Sequence, residues 1–192
     1  MELKVSADGW VACGERRYAC ALGRSGLKQD KREGDGATPI GRFPLRRILY
    51  RMDRLSRPAS DLPAEPIGPD DGWCDDPADA AHYNRAVRLP HPSSCERLWR
   101  SDGLYDVVVV LGHNDDPPLP GAGSAIFLHV AKPGYGPTEG CVALALTDLL
   151  SVLMSCNTGT VIDIGVPPAR TSAAEVPAWL LQERRDRGDP DV

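Results

Sequence analysis

The six cysteines of this chain, Cys13, Cys20, Cys74, Cys95, Cys141 and Cys156, form no CxxC pair and show no zinc-ligand spacing. The linear sequence therefore offers no metal motif. Long apolar runs are missing too, since none approaches the roughly 18–20 residues that cross a bilayer. The opening "MELKVSADGW" lacks the basic and then apolar regions of a secretory signal. Export by another route, a leader upstream of this start, and work inside the cell all stay open. Positive charge is not in excess. With 22 Lys/Arg against 27 Asp/Glu the formal net charge is −5, which argues against general nucleic-acid binding.

Glycine and proline are abundant instead, 19 and 18 of them in 192 residues. They imply frequent turns and favour a β-rich fold over a helical bundle. A hydrophobic content of 42% and a charged content of 26% are ordinary for one globular domain with a real core. Charge is uneven: residues 1–60 hold 13 basic and 7 acidic side chains, residues 61–192 hold 9 and 20. A basic first third suits an acidic polymer, but a solvated face is the plainer reading. The cysteines fit small core residues better than disulfides, although Cys13 and Cys20 would allow a bridge across a hairpin.

No internal repeat is visible. "WVAC" and "RYACALG", separated by Gly14-Glu15, read as a hairpin. Residues 26–41 are a polar, Gly-rich loop, and "RFPLRRILY" (42–50) reads as a strand, its Arg42, Arg46 and Arg47 exposed. Residues 51–103 are dense in Pro, Asp and Arg. So long an irregular stretch in a compact domain suggests the wall of a functional site rather than a linker. "YDVVVVLG" (105–112) is a buried central strand and "GSAIFLHV" (123–130) another. "LTDLLSVLMSCNTG" predicts a helix capped by Thr147 or Asp148 and stopped at Asn-Thr-Gly, and "TVIDIGV" (160–166) a closing strand. After Pro167 the chain is polar, with a short helix expected at 174–185. The domain is expected to span 1–166, with 167–192 an extension.

"HVAKPGYGPTEGCVAL" sets His129 and Cys141 twelve residues apart. A cysteine attacks as thiolate, and a nearby imidazole stabilises that form. Gly140 permits a tight turn and close approach to substrate. N–H groups around Thr138–Cys141 would then be placed to hold an oxyanion. Spacing alone also fits a core cysteine beside an unrelated strand histidine.

The wider context resembles the L,D-transpeptidase catalytic domain (YkuD-type), whose signature is a histidine, a loop, and Ser/Thr-x-Gly-Cys. Here those elements are His129 and Thr138-Glu139-Gly140-Cys141. "GDGATPIGRFPL" (34–45), "GSAIFLHV" and "ALTDLLSVLMSCNTGTVIDI" are similar to further family segments in the same order. The resemblance implies a mainly β domain, sandwich- or barrel-like, with one main helix after the cysteine and a few short ones. It implies acyl transfer between peptidoglycan stem peptides through a Cys141 thioester, with His129 moving the proton, no cofactor, and a place in the periplasm and cell-wall biogenesis. The linkage would be 3–3 or 1–3, and family members are acylated by carbapenems. A hydrolase using the same pair, or a silent peptidoglycan-binding module, are the alternatives.

Two departures stand out. Many members carry His where this chain has Glu139 and Arg where it has Ala143. Substrate contacts must then come from elsewhere. A charged Glu139 beside the thiol would oppose its ionisation, so its side chain is expected to turn away or bind substrate amines. Trp73, Asp75, Tyr83 and Asn84 are candidates for holding stem-peptide amides and carboxylates. His113-Asn114-Asp115-Asp116 has no companions at metal spacing, leaving a pocket wall, with Asn114 and Asp115 as contacts, or a polar turn. Cys74, Cys95 and Cys156 are read as structural, and the protein as a monomer without a membrane span.

Overall fold

A computed structural model describes residues 1–167, so the helix expected at 174–185 lies outside the described residues. Its strands are β1 (Glu2–Ser6), β2 (Trp10–Cys13), β3 (Arg16–Ala21), β4 (Leu27–Lys28), β5 (Thr38–Pro39), β6 (Gly41–Tyr50) and β7 (Ala64–Pro66). They continue with β8 (Asp71–Cys74), β9 (Ala86–Arg88), β10 (Cys95–Arg97), β11 (Val107–Leu111), β12 (Phe127–Val130), β13 (Val142–Leu144) and β14 (Val161–Val166). One α-helix, α1 (Leu146–Leu153), and a 3-10 turn at Pro133–Tyr135 complete the described residues.

The main sheet runs β11-β12-β13-β3-β2-β1-β14-β6-β7, and a further β11–β6 pairing closes it into a barrel-like ring. β11 explains its own composition. Val107, Val109 and Leu111 enter the main core with Leu3, Leu128, Val142 and Ile162, while Val108 and Val110 face a second cluster on the outside. A strand covered on both faces has no use for alternation, hence the unbroken Val-Val-Val-Val-Leu run. α1 packs Leu149, Val152 and Leu153, spaced at i, i+3 and i+4, into the main core.

The hairpin, β6, β11, α1 and β14 fall where the sequence places them. The "GSAIFLHV" strand is shorter than expected, because positive φ at Gly123 (94°) and Ala125 (51°) delays β12 to Phe127. Neither Thr147 nor Asp148 caps α1. Ala145 occupies that position without a side-chain bond, and Asp148 serves only as first-turn acid toward the helix dipole. The Cys13–Cys20 bridge does not form: Cys13 pairs with Arg16, Cys20 lies beyond the Trp10–Ala19 pair, and all six thiols are free.

The second cluster sets the site. Outside the ring, residues of the 51–103 segment fold over β11 and β12, with β8, β9 and β10 making a small sheet ordered β10-β8-β9. Trp73, Leu98 and Tyr105 pack there on Phe127, which meets Trp73 edge-on at 5.2 Å and Tyr105 at 6.0 Å. Some cations of the first third meet acids from the rest of the chain, while Lys28, Lys31 and Arg51 pair within it. Arg24 pairs with Glu139, Arg46 with Asp115, Arg47 with Glu65 and Arg54 with Asp106.

Candidate active site

β12 and β13 run parallel, with His129 in register with Ala143. Cys141 stands two residues before Ala143, so His129, Cys141 and Ala143 project from one face of neighbouring strands. That face opens into a cleft of about 610 Å³ between the sheet and the 51–103 wall. Cys141 and His129 line it together, with Glu96, Arg97, Arg100, Asp75 and Tyr105 opposite and Thr138 and Glu139 at the loop.

Cys141 Sγ donates to Ala125 O at 3.2 Å and accepts the Phe127 N–H at 3.4 Å. Burial pushes its thiol up to about 12; the Glu96 carboxylate adds to the rise, while the Phe127 N–H and the Lys31 ammonium oppose it. His129 is held by a backbone carbonyl, Nδ1 lying 2.8 Å from Val130 O. A carbonyl only accepts, so Nδ1 carries the proton of the neutral ring and Nε2 is the basic nitrogen. Burial draws the imidazole down to about 4, against the pull of that carbonyl. The resting pair is therefore neutral thiol and neutral imidazole at pH 7, and proton transfer must accompany attack.

The carboxylate acting on the sulfur is Glu96, not Glu139. Glu139 is turned outward, its two oxygens sharing the Arg24 Nε–H at 2.9 and 3.1 Å. Glu96 Oε1 accepts the Tyr105 hydroxyl at 2.5 Å, and the Tyr105 ring meets that of His129 edge-on at 5.2 Å. Burial raises Glu96, with Tyr105 and Arg100 holding it back. Because Glu96 repels the thiolate, Glu96→Gln should lower the Cys141 pKa, each unit multiplying the thiolate fraction about tenfold. Iodoacetamide labelling followed by peptide mapping checks this. Wild-type Cys141 should label more slowly at pH 9 than an ordinary cysteine, which is about three-quarters ionised there. E96Q should label faster, and equal rates would remove Glu96 from the electrostatics of the site.

Gly140 and Thr138 fix the cysteine backbone. Gly140 adopts φ 139°, and a Cβ there would sit 2.8 Å from Ala37 O. Thr138 Oγ1 donates to Cys141 O at 2.7 Å and accepts the Gly140 N–H at 3.1 Å, so that N–H is engaged internally. Thr38, buried beneath, also reaches Cys141 O at 3.5 Å and accepts the Gly23 N–H at 2.8 Å. The "ATPIG" segment thus supports Cys141 from below, a role its sequence alone did not assign.

Trp73, Tyr83, Asn84, Asn114 and Asp115 do not line this cleft. Trp73 is core and donates to Asn84 Oδ1 at 2.9 Å. Asn84 also accepts from Ala125 N and donates to His113 O and Asn114 O, spending its whole amide on tying the loop after β11 to the residues just before β12. The Tyr83 hydroxyl donates to Glu33 and accepts from Gly123 N. Asn114 closes a turn on Leu119 and Gly123, and Asp115 is bidentate on Arg46. His113-Asn114-Asp115-Asp116 is accordingly a polar turn. Trp73, Asn84 and Asp115 do border a separate depression of about 420 Å³.

Reading the sequence missed Glu96, Arg97 and Arg100, brought in by the irregular segment, and Tyr105 just beyond it. Two arginines share the cleft with Ala143: Arg97, and Arg100, whose guanidinium is held by the Asp102 carboxylate. Arg100 lies 3.9 Å from Glu96 and 5.0 Å over the Tyr105 ring. Two buried polar atoms in the lining, Ser124 Oγ and Asp75 Oδ1, have no partner. Buried polar groups ordinarily find one in protein or ordered water, so both are places where a water or a ligand group would bond.

A family model, the L,D-transpeptidase catalytic domain (YkuD), matches residues 7–164. No curated protein matches the chain.

Proposed function

We propose, from the premise that the chain belongs to the L,D-transpeptidase catalytic-domain family, that Cys141 transfers an acyl group between peptidoglycan stem peptides. The supporting observation is the placement of Cys141 and His129 on one face of adjacent strands within a single cleft. The thiol attacks the carbonyl of the L-centre of diaminopimelate while His129 Nε2 takes its proton. Collapse of the tetrahedral adduct breaks the peptide bond, the imidazolium protonates the leaving D-residue amine, and a Cys141 thioester remains. The amine of a second stem attacks that thioester, gives its proton to His129 and restores the thiol. The Cys141 N–H is the donor for the oxyanion nearest the sulfur, since the Gly140 N–H is committed to Thr138.

Stem peptides carry both carboxylates and amines, and the cleft wall carries both signs. Arg97 and Arg100 suit a substrate carboxylate, and Asp75 and Glu139 an amine. The unpartnered Ser124 Oγ suits a peptide amide. Such a substrate puts the site of action in the cell envelope.

Incubation with disaccharide tetrapeptide and mass spectrometry of the products tests the reading. Cross-linked dimers are expected, with fragmentation separating 3–3 from 1–3 linkages. Tripeptide without dimer would replace transfer by hydrolysis at the same thioester. Binding without either product would leave only a peptidoglycan-binding role. A carbapenem should add its mass to the peptide containing Cys141.

A further inference from the structure

Cys74 and Cys95 show no metal spacing in the sequence, yet β8 and β10 pair them directly across the small sheet. His91, from the turn before β10, completes the group. The ligand atoms of Cys74, His91 and Cys95 lie within 4.8 Å of one another. A tetrahedral ion with bonds of about 2.3 Å to sulfur and about 2.0 Å to nitrogen holds its ligand atoms roughly 3.5 Å apart, so about 1 Å of closure suffices.

The surroundings favour a cation over a bridge between the two thiols. Asp75, Asp76 and Asp79 crowd the same end of the sheet, and among the described residues none forms an ion pair with lysine or arginine. Asp79 Oδ2 lies 3.9 Å from His91 Nε2. That carboxylate is itself held by His82 Nδ1 at 2.9 Å and the Ser93 hydroxyl at 2.9 Å. Asp79 is thus tied in place beside the imidazole, just beyond hydrogen-bond reach of Nε2, while His91 Nδ1 accepts the Ser93 N–H at 3.3 Å, a bond that an ion on that nitrogen would displace.

We propose that Cys74, Cys95 and His91 bind a soft divalent ion of the zinc class, with water in the fourth position and Asp79 orienting His91. The site is structural and separate from Cys141. Asp75 and Glu96 directly follow Cys74 and Cys95, so the ion fixes the wall that faces the nucleophile.

The test needs no substrate. Full-length protein, purified without chelator, is assayed by elemental analysis and by mass spectrometry under native conditions. About one zinc per chain is expected, retained in Cys141→Ala and lost in both Cys95→Ser and His91→Ala. Wild-type protein stripped by chelator should melt at a lower temperature and recover on addition of Zn²⁺ alone. Co²⁺ in place of Zn²⁺ should show thiolate charge-transfer absorption, which keeps the test decisive if a variant does not fold. Three results would overturn the proposal: no binding on back-titration, metal that persists in Cys95→Ser (an adventitious ion only), or a Cys74–Cys95 disulfide formed with Zn²⁺ present.

Discussion

Cys141→Ala is expected to abolish both cross-linked and hydrolysed products, a loss of at least about 10⁴-fold in turnover, because no other side chain can take the acyl group. Its effect on folding should be small by comparison. The side chain is buried, but the sulfur contributes only two weak contacts, to Ala125 O and the Phe127 N–H, and the β-carbon remains. The variant should still bind stem peptide and lose labelling by carbapenem. Cys141→Ser is the sharper control. Its hydroxyl can keep both hydrogen bonds, so loss of turnover there isolates nucleophilicity from packing. Dimer formation by the alanine protein would dismiss the cysteine mechanism outright.

The second large effect falls on Gly140. Its φ of 139° is one that L side chains rarely adopt, and the clash at 2.8 Å is with a backbone oxygen, Ala37 O, which cannot rotate away. Gly140→Ala should therefore cost about 1–3 kcal/mol from backbone strain before any overlap is counted. The relief available is a shift of the Thr138–Cys141 turn, which carries the sulfur with it. Displacement of a reacting atom by about 1 Å costs on the order of 10²-fold in rate. We expect kcat/KM to fall by about that factor, with a melting temperature lower by about 5 °C. Gly136→Ala supplies the comparison within the same loop. Gly136 has φ −53°, and a Cβ there would come no closer than 3.8 Å to Lys132. That variant should behave as wild type, and equal damage from both would indict the loop rather than the strained turn.

How much was legible follows the reach of each signal. β11 announces itself because burial on both faces leaves a run of valines, and α1 because its stripe repeats over two turns. Local turn chemistry placed the hairpin and β14. His129 and Cys141 were visible as an ordered pattern, and the parallel register of β12 with β13 gives that pattern its geometry. The opposite wall was not legible, because Glu96, Arg100 and Tyr105 reach the cleft through pairings of β10 with β8 and packing on Phe127, both remote in sequence. Trp73, Tyr83 and Asn84 looked like ligand contacts for the same reason that they are structural. An Asn amide with four partners and a buried Trp N–H are polar groups in a polar loop, and only the fold shows that they bond inward. The missing cap on α1 has a plain cause as well. β13 ends at Leu144 and the N-cap position falls on Ala145, whose methyl group has no oxygen to accept the first-turn N–H groups.

The closure of the ring sets an order of events during synthesis. β1, made first, lies between β2 and β14, and β14 bonds in parallel to β1 from Glu2↔Val161 to Ser6↔Val166. The hairpin of β2 and β3 can form as it leaves the ribosome, yet the barrel cannot shut until the last strand has emerged. β3 must likewise wait for β13, the strand that follows Cys141. Contacts so distant along the chain make for slow, all-or-none folding. The Cys141 cleft is thus assembled only at the end, and a chain cut before residue 161 should yield an open sheet in which Cys141 and His129 are no longer held together.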